Sequence, residues 1–209
     1  MLTTKKTLLA LVCALFAVTC AGESGSGGTL LLGVRNSRYV MAGYELPAGH
    51  CGLELEHGLQ AVNIKRQQVR ASLFWHDAWL GGRMAARASA FCSTTWSGTY
   101  SMTGVHLSAA YSPLWRVTAE LSVNPYYDTE YRWITAWSAG LRGALTRQAA
   151  LFCTYTTVPD YRLSERRIHA GAAFTVGNLS AEAAVSMPLS HTPAQSLRLL
   201  CSFRYRLPL

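Results

Sequence analysis

Ten charged residues sit inside stretches that alternate apolar and polar: Glu45, Glu54, Glu56, Arg70, Arg87, Glu120, Arg142, Glu182, Arg198 and Arg204. Acids and arginines gathered on one surface can pair, because the planar guanidinium meets a carboxylate bidentately. Alternatively, an excess of one sign can attract and pass ions of the other. Pairing is the commoner role of such clusters, so an ion-paired surface is expected first and a narrow anion path second. Other chemistry-bearing residues are sparse. Ser190 with His191, or His169 with Ser138, could supply a nucleophile and base for lipid hydrolysis. No local motif surrounds them, and neighbours in sequence do not make a triad. No catalytic residue is therefore assigned. Cys51, Cys92, Cys153 and Cys201 show no CxxC spacing and no paired histidines, so no metal site is expected. Their even number leaves disulfides open in an exported chain. No phosphate loop or nucleic-acid motif is present, and neither a cofactor nor a nucleic-acid partner is expected.

The elements that carry these charges read as strands. The last one shows the pattern. Leu197, Leu199, Cys201, Phe203 and Tyr205 alternate with Arg198, Leu200, Ser202, Arg204 and Arg206. Successive side chains of a strand point to opposite faces, so this segment has one apolar and one basic face. The same period of two runs through the chain, with no sustained helical period outside the first 21 residues. Turns near 47–50, 80–82, 112–115, 144–147 and 177–178 are short. Connections near 61–67, 96–100, 125–131, 158–166 and 188–195 are mostly longer. Eleven strands result, plus a weaker run from Thr29 to Val34.

Every charge named above falls on one parity, and the opposite parity carries none. A soluble barrel or sandwich would place its uncharged face inward and many lysines and acids outside. Here the chain is 14% charged and half apolar, and its only lysines are Lys5, Lys6 and Lys65. A soluble domain carries roughly 25% charged residues. The alternative is a lipid-facing apolar surface around a polar lumen, where a charge on the lipid side costs about 2–4 kcal/mol near the midplane. Aromatics fall toward the two strand ends: Tyr44, Trp75, Tyr111, Trp115, Phe203 and Tyr205 at one, and Trp96, Tyr126, Tyr127, Trp133 and Tyr155 at the other. Such girdles mark the two interfaces of a membrane.

Residues 1–21 read as a secretory signal peptide, with Lys5 and Lys6 before an apolar stretch too short to span comfortably. Its removal would lower the formal charge from +8 to +6. Cys20 also admits acylation as a lipoprotein, although Thr19 departs from the usual small residue before such a cysteine. Residues 22–28 form a flexible leader. The remainder, 29–209, is expected to be an all-β, antiparallel, up-and-down transmembrane barrel of about 12 strands, with 10 as the alternative.

On the dyad repeats, the two girdles, the signal peptide and the aromatic terminal strand, residues 29–206 resemble the small outer-membrane β-barrel proteins of Gram-negative bacteria. The resemblance implies the cell outer membrane and contact with membrane lipid and lipopolysaccharide. It also implies insertion by the barrel assembly machinery and a monomer. In that family the last residue is usually aromatic, whereas here Arg206-Leu207-Pro208-Leu209 follows Tyr205. The expected role is structural or that of a narrow pore. The alternatives are an outer-membrane lipid hydrolase and a soluble periplasmic lipocalin-like binder of hydrophobic ligands. The first-half glutamates Glu45, Glu54 and Glu56 are expected beside the terminal-strand arginines in a closed barrel.

Overall fold

The computed structural model describes residues 28–36, 39–47, 50–58, 68–114, 116–130, 132–160, 163–189 and 197–209. The expected signal peptide, Cys20, most of the leader, Trp115, Ser190 and His191 lie outside them. In chain order the strands are β1 (Thr29–Arg35), β2 (Tyr39–Glu45), β3 (Cys51–Gly58) and β4 (Gln68–Trp79). Then come β5 (Met84–Thr95), β6 (Ser101–Leu114), β7 (Val117–Asp128) and β8 (Arg132–Ala144). The last four are β9 (Ala149–Asp160), β10 (Leu163–Val176), β11 (Leu179–Pro188) and β12 (Arg198–Pro208). Each pairs antiparallel with its sequence neighbours, and β1 pairs with β12 to close the barrel. Twelve is even, so both chain ends leave at one rim, called here the terminal rim; the opposite one is the far rim.

Alternation explains the strands, and local backbone chemistry explains the tight turns. Gly81 and Gly82 hold φ values of 65° and 83° between β4 and β5, and Gly177 holds 56° between β10 and β11. Side chains with a Cβ resist that left-handed region. The run from Thr29 to Val34 is a full strand, with its six residues paired to Phe203–Pro208. The weakest strand by sequence is thus the one that seals the barrel.

The outward parity forms a continuous apolar surface that includes Leu107, Leu121, Leu141, Leu151, Phe174 and Leu199, all exposed. In water, such a patch would exceed what a soluble monomer carries. Among the described residues no helix is long and apolar enough to cross a membrane. A closed barrel is the other structure that satisfies every backbone group in hydrocarbon. Inward, Leu31, Met41, Phe74 and Phe91 are buried on β1, β2, β4 and β5. They pack one side of the interior.

Three expectations are corrected. Residues 125–128 were expected in a loop, but β7 runs through Pro125 to Asp128. The expected loop at 158–166 is largely strand, because β9 reaches Asp160 and β10 starts at Leu163, with pairs from Leu163↔Asp160 onward. Charge and proline suggested loops there, yet beyond the apolar belt polar strands can keep pairing in water. Finally, Tyr126 shares the parity of Glu120 and Ser122 and is buried inside, so it does not belong to the far-rim girdle.

Closure demands close approach at the seam. Gly33 faces Arg204 across it, and a Cβ there would collide with the Phe203 carbonyl oxygen. Gly143 on β8 has open space around an added Cβ. Gly33→Val should therefore abolish heat-modifiable migration of the purified protein on a gel, whereas Gly143→Val should retain it.

Candidate functional site: a lumen with one charged and one hydroxyl wall

Glutamates on β2 and β3 and arginines on β12, β1 and β5 share the inward parity, so closure brings them together. Glu54 accepts from two arginines, with Arg87 Nη2 at 2.9 Å and Arg204 Nη2 at 3.3 Å. The Arg204 side chain reaches Glu54 over β1 and β2. Gly33 and Gly43, inward on those strands, leave room for it. Arg35 donates to Glu56 at 2.6 Å. Nearer the terminal rim, Glu45 lies 3.0 Å from His76 Nε2 and 3.4 Å from Arg206 Nη2. All three acids are buried.

A second triad inverts the arrangement. Arg142 on β8 donates to Glu120 on β7 at 3.0 Å and to Glu182 on β11 at 2.8 Å. It ties β8 to β11 across the inward faces of β9 and β10. These acids are much more exposed than Glu54.

Arg70 differs from the rest. Its guanidinium carbon stands 3.7 Å from the Phe91 ring centroid, and no carboxylate pairs with it among the described residues. A stacked guanidinium keeps its charge and is stabilised by the ring quadrupole. Arg198 likewise has no ion pair among the described residues; it faces Ser186 across the β11–β12 ladder.

The central lumen encloses a cavity of about 550 Å³. Arg35, Arg70, Arg87 and Arg204 line it with Glu54 and Glu56, giving two net positive charges. Across the cavity stand neutral polar groups from β7, β8 and β9: Ser122, Asn124, Ser138, Thr154 and Thr156. Three buried polar atoms at this cavity lack hydrogen-bond partners, namely Arg35 Nε, Asn124 Oδ1 and His169 Nε2. Two smaller spaces of about 390 and 350 Å³ share lining residues with it: Arg87, Ser122, Ser138 and Thr154 for one, and Arg35, Asn36 and Arg204 for the other. The interior is therefore a chain of polar spaces.

Other sequence candidates separate clearly. Ser138 Oγ bonds Ser122 Oγ at 2.6 Å, so its hydroxyl is engaged with a second serine. Both Ser138 and His169 face the lumen, away from the lipid-facing surface where a lipid hydrolase would work. Cys51, Cys92 and Cys153 are unbridged and lie on the lipid parity, as does Cys201. Of the girdle candidates, Trp75, Trp96, Tyr111, Trp133, Phe203 and Tyr205 are exposed, and Tyr44 and Tyr155 are half-buried on the outward face. Trp79 and Trp137 are exposed on that face too. Arg206 beside Glu45 is one of the terminal-strand arginines expected next to the first-half glutamates, whereas Arg35 and His76 are further partners. Their signal was parity: Arg35 continues Leu31 and Gly33, and His76 continues Arg70 and Ser72.

The architecture is an all-β, twelve-stranded, antiparallel closed barrel with a charged, ion-paired interior, a fold shared with solved porin barrels. Among solved structures, a KdgM porin in complex with disordered oligogalacturonate superposes with a TM-score of 0.60 at 8% identity, covering 86% of this chain and 98% of that one. A second structure, titled KdgM porin, gives 0.59 at the same identity and coverage. A NanC porin structure gives 0.49 at 9% identity, over 86% and 97% of the two chains. No protein-family model and no curated sequence matches the chain.

Breaking one partner of a pair strands the others. Glu54→Gln leaves Arg87 and Arg204 without their shared anion in a half-buried site. The expected loss is about 2 kcal/mol, between the surface and fully buried limits. It should appear as a lowered midpoint of heat-induced barrel opening in detergent, and Glu120→Gln should lower it less.

Proposed function

We propose that the protein is an outer-membrane pore that passes small, hydroxyl-bearing anions. The observation that carries this reading is the central cavity, in which four arginines face two carboxylates and Arg70 makes no ion pair among the described residues. A surplus of fixed guanidiniums in a narrow polar passage raises the local concentration of anions and excludes cations. The opposite wall of serines, threonines and Asn124 offers both donors and acceptors to hydroxyl groups. A carboxylated or phosphorylated sugar would meet arginines on one side and hydroxyls on the other. The oligogalacturonate held by the KdgM porin has that chemistry, which makes it a rational first probe. In this reading the chain is exported on its signal peptide and inserted by the barrel assembly machinery. It then works as a monomer against membrane lipid and lipopolysaccharide.

The ion pairs also support a second reading, a barrel whose lumen is held closed by its own salt bridges. Arg142 decides between them, because its pair with Glu182 spans from β8 to β11 over the inward faces of β9 and β10. Wild-type protein in planar bilayers should give small steps with anion-selective reversal potentials. Arg70→Ser should lower the anion-to-cation permeability ratio at least about twofold, since one of two surplus charges is lost. Arg142→Ala should raise the step size. A complete absence of steps in the wild type and in Arg142→Ala would leave the closed, structural barrel as the better account.

A further inference from the structure

The barrel wall is forked between β8 and β9. These strands pair from Ala144↔Ala150 up to Ser138↔Thr156, where the ladder stops. Both continue: β8 extends back to Arg132, paired to β7, and β9 extends to Asp160, paired to β10. Among the described residues, 132–137 form no ladder with 157–160. Two hairpins therefore separate toward the far rim.

The sequence at the fork explains the separation. Alternate residues of an antiparallel strand turn their N–H and C=O toward the same neighbour. The Gln148 carbonyl accepts from Thr175 on β10, and the Ala149 carbonyl accepts from Leu145 on the β8 side. Odd residues of β9 thus face β8, including Thr157 and Pro159. Proline has no N–H, so position 159 cannot donate to β8. At Thr157 the side chain joins the end of the ladder. Its Oγ1 accepts from the Trp137 amide at 2.8 Å and donates to the Trp137 carbonyl at 3.2 Å. One hydroxyl caps the ladder, and above it the backbone groups of β8 that face β9 have no strand partner.

Two observations connect this fork to the lumen. Trp137 and Thr157 have the outward parity, yet both line the central cavity with its arginines. The unpartnered Asn124 Oδ1 and His169 Nε2 flank the same side, on the strands next to β8 and β9. On the lipid side, the Trp137 and Tyr155 rings stand 5.0 Å apart, at the far-rim aromatic level.

We propose that the β8–β9 fork is a lateral portal through which the lumen takes an anionic, single-chain amphiphile from the outer leaflet. Its phosphate or carboxylate head sits in the arginine-lined cavity. Its apolar tail leaves above the Trp137–Thr157 contact, between the parting ends of β8 and β9, into the bilayer. Charge complementarity selects this occupant. A neutral lipid head would leave Arg70 unanswered, and a soluble anion would leave the apolar exit and its aromatic flanks unused. The unpaired backbone lies at and above the far-rim aromatic level, where interfacial water and the polar cavity can satisfy it.

The test uses the mature protein in phosphatidylcholine nanodiscs and follows tryptophan fluorescence. The probe is 12-bromododecyl phosphate, whose bromine quenches nearby indoles. Saturable quenching that falls clearly in Trp137→Phe is expected, with 12-bromododecanoate showing whether a carboxylate head serves as well. Glycerol 3-phosphate, which has no tail, should bind more weakly. The double variant Thr157→Val with Pro159→Val removes the capping hydroxyl and restores an N–H, so the ladder can zip. It should weaken probe binding at least about tenfold, the equivalent of two buried methylenes. Non-saturating quenching unchanged in Trp137→Phe, or saturable binding of neutral 12-bromododecanol equal to that of the phosphate, would overturn the portal. If the double variant loses heat-modifiability, the Trp137→Phe comparison decides alone. Saturable binding in a protein that never conducts would sink the pore reading and keep the portal; conductance without saturable binding would do the reverse.

Discussion

The carboxylate of Glu54 holds the barrel's interior together. It is buried on β3 and accepts from Arg87 on β5 and Arg204 on β12, so one anion links strands on both sides of the closing seam. An uncompensated charge at that depth is costly, and removing either arginine raises the cost of the other contact. The seam ladder itself is short, six pairs against β1. Backbone bonds set its register, and the charge pairs on the lumen side make that register specific. A slip of one residue would turn Arg204 and Arg206 toward lipid, where a guanidinium costs kilocalories rather than tenths.

That same parity rule is why so much of the fold is readable from the sequence. In a soluble sheet the polar face tolerates any charge and the apolar face carries few, so the pattern is loose. In a membrane barrel, lipid excludes charge from the middle of one face, and the outward charges Asp77 and Arg166 accordingly sit near strand ends. Glu45, Glu54, Glu56, Arg70, Arg87, Glu120, Arg142, Glu182, Arg198 and Arg204 all fall on the inward parity, and each strand assignment checks its neighbour. Strand number follows from closure, because the apolar run at Thr29–Val34 must cover the edge of β12.

Partners and strand ends were less legible, for physical reasons. Parity says which face a residue occupies but not its height on the tilted wall. Arg198 was grouped with Arg204 as a seam cation, yet four residues of β12 lie between Arg198 and Phe203, where the β1 ladder ends. Arg35 falls just past the weaker run from Thr29 to Val34, although its parity continues Leu31 and Gly33. Pro125 and Pro159 suggested loops, since proline interrupts ladders. Both sit in strands, where their missing N–H breaks pairing on one side only. Tyr126 was placed in a girdle by its position near a strand end, but parity outranks position and turns it inward.

The two unlike walls have a common origin. Long arginine side chains rooted on β12, β1, β4 and β5 cross toward glutamates on β3 and lie over Phe74 and Phe91, so that side is densely filled. A barrel of twelve strands is wider than such side chains can fill from one side. Had the opposite wall carried equally long residues, the lumen would be solid. At the cavity β7, β8 and β9 instead present Ser122, Asn124, Ala136, Ser138, Thr154 and Thr156, and the remaining volume stays open. A cavity lined by hydroxyls stays wet, because each hydroxyl offers water a donor and acceptors. The β8–β9 ladder ends at Ser138↔Thr156, just below Pro159, which offers no N–H. At the level of the central cavity, the open volume thus follows from rooting the long arginines on one side of the barrel.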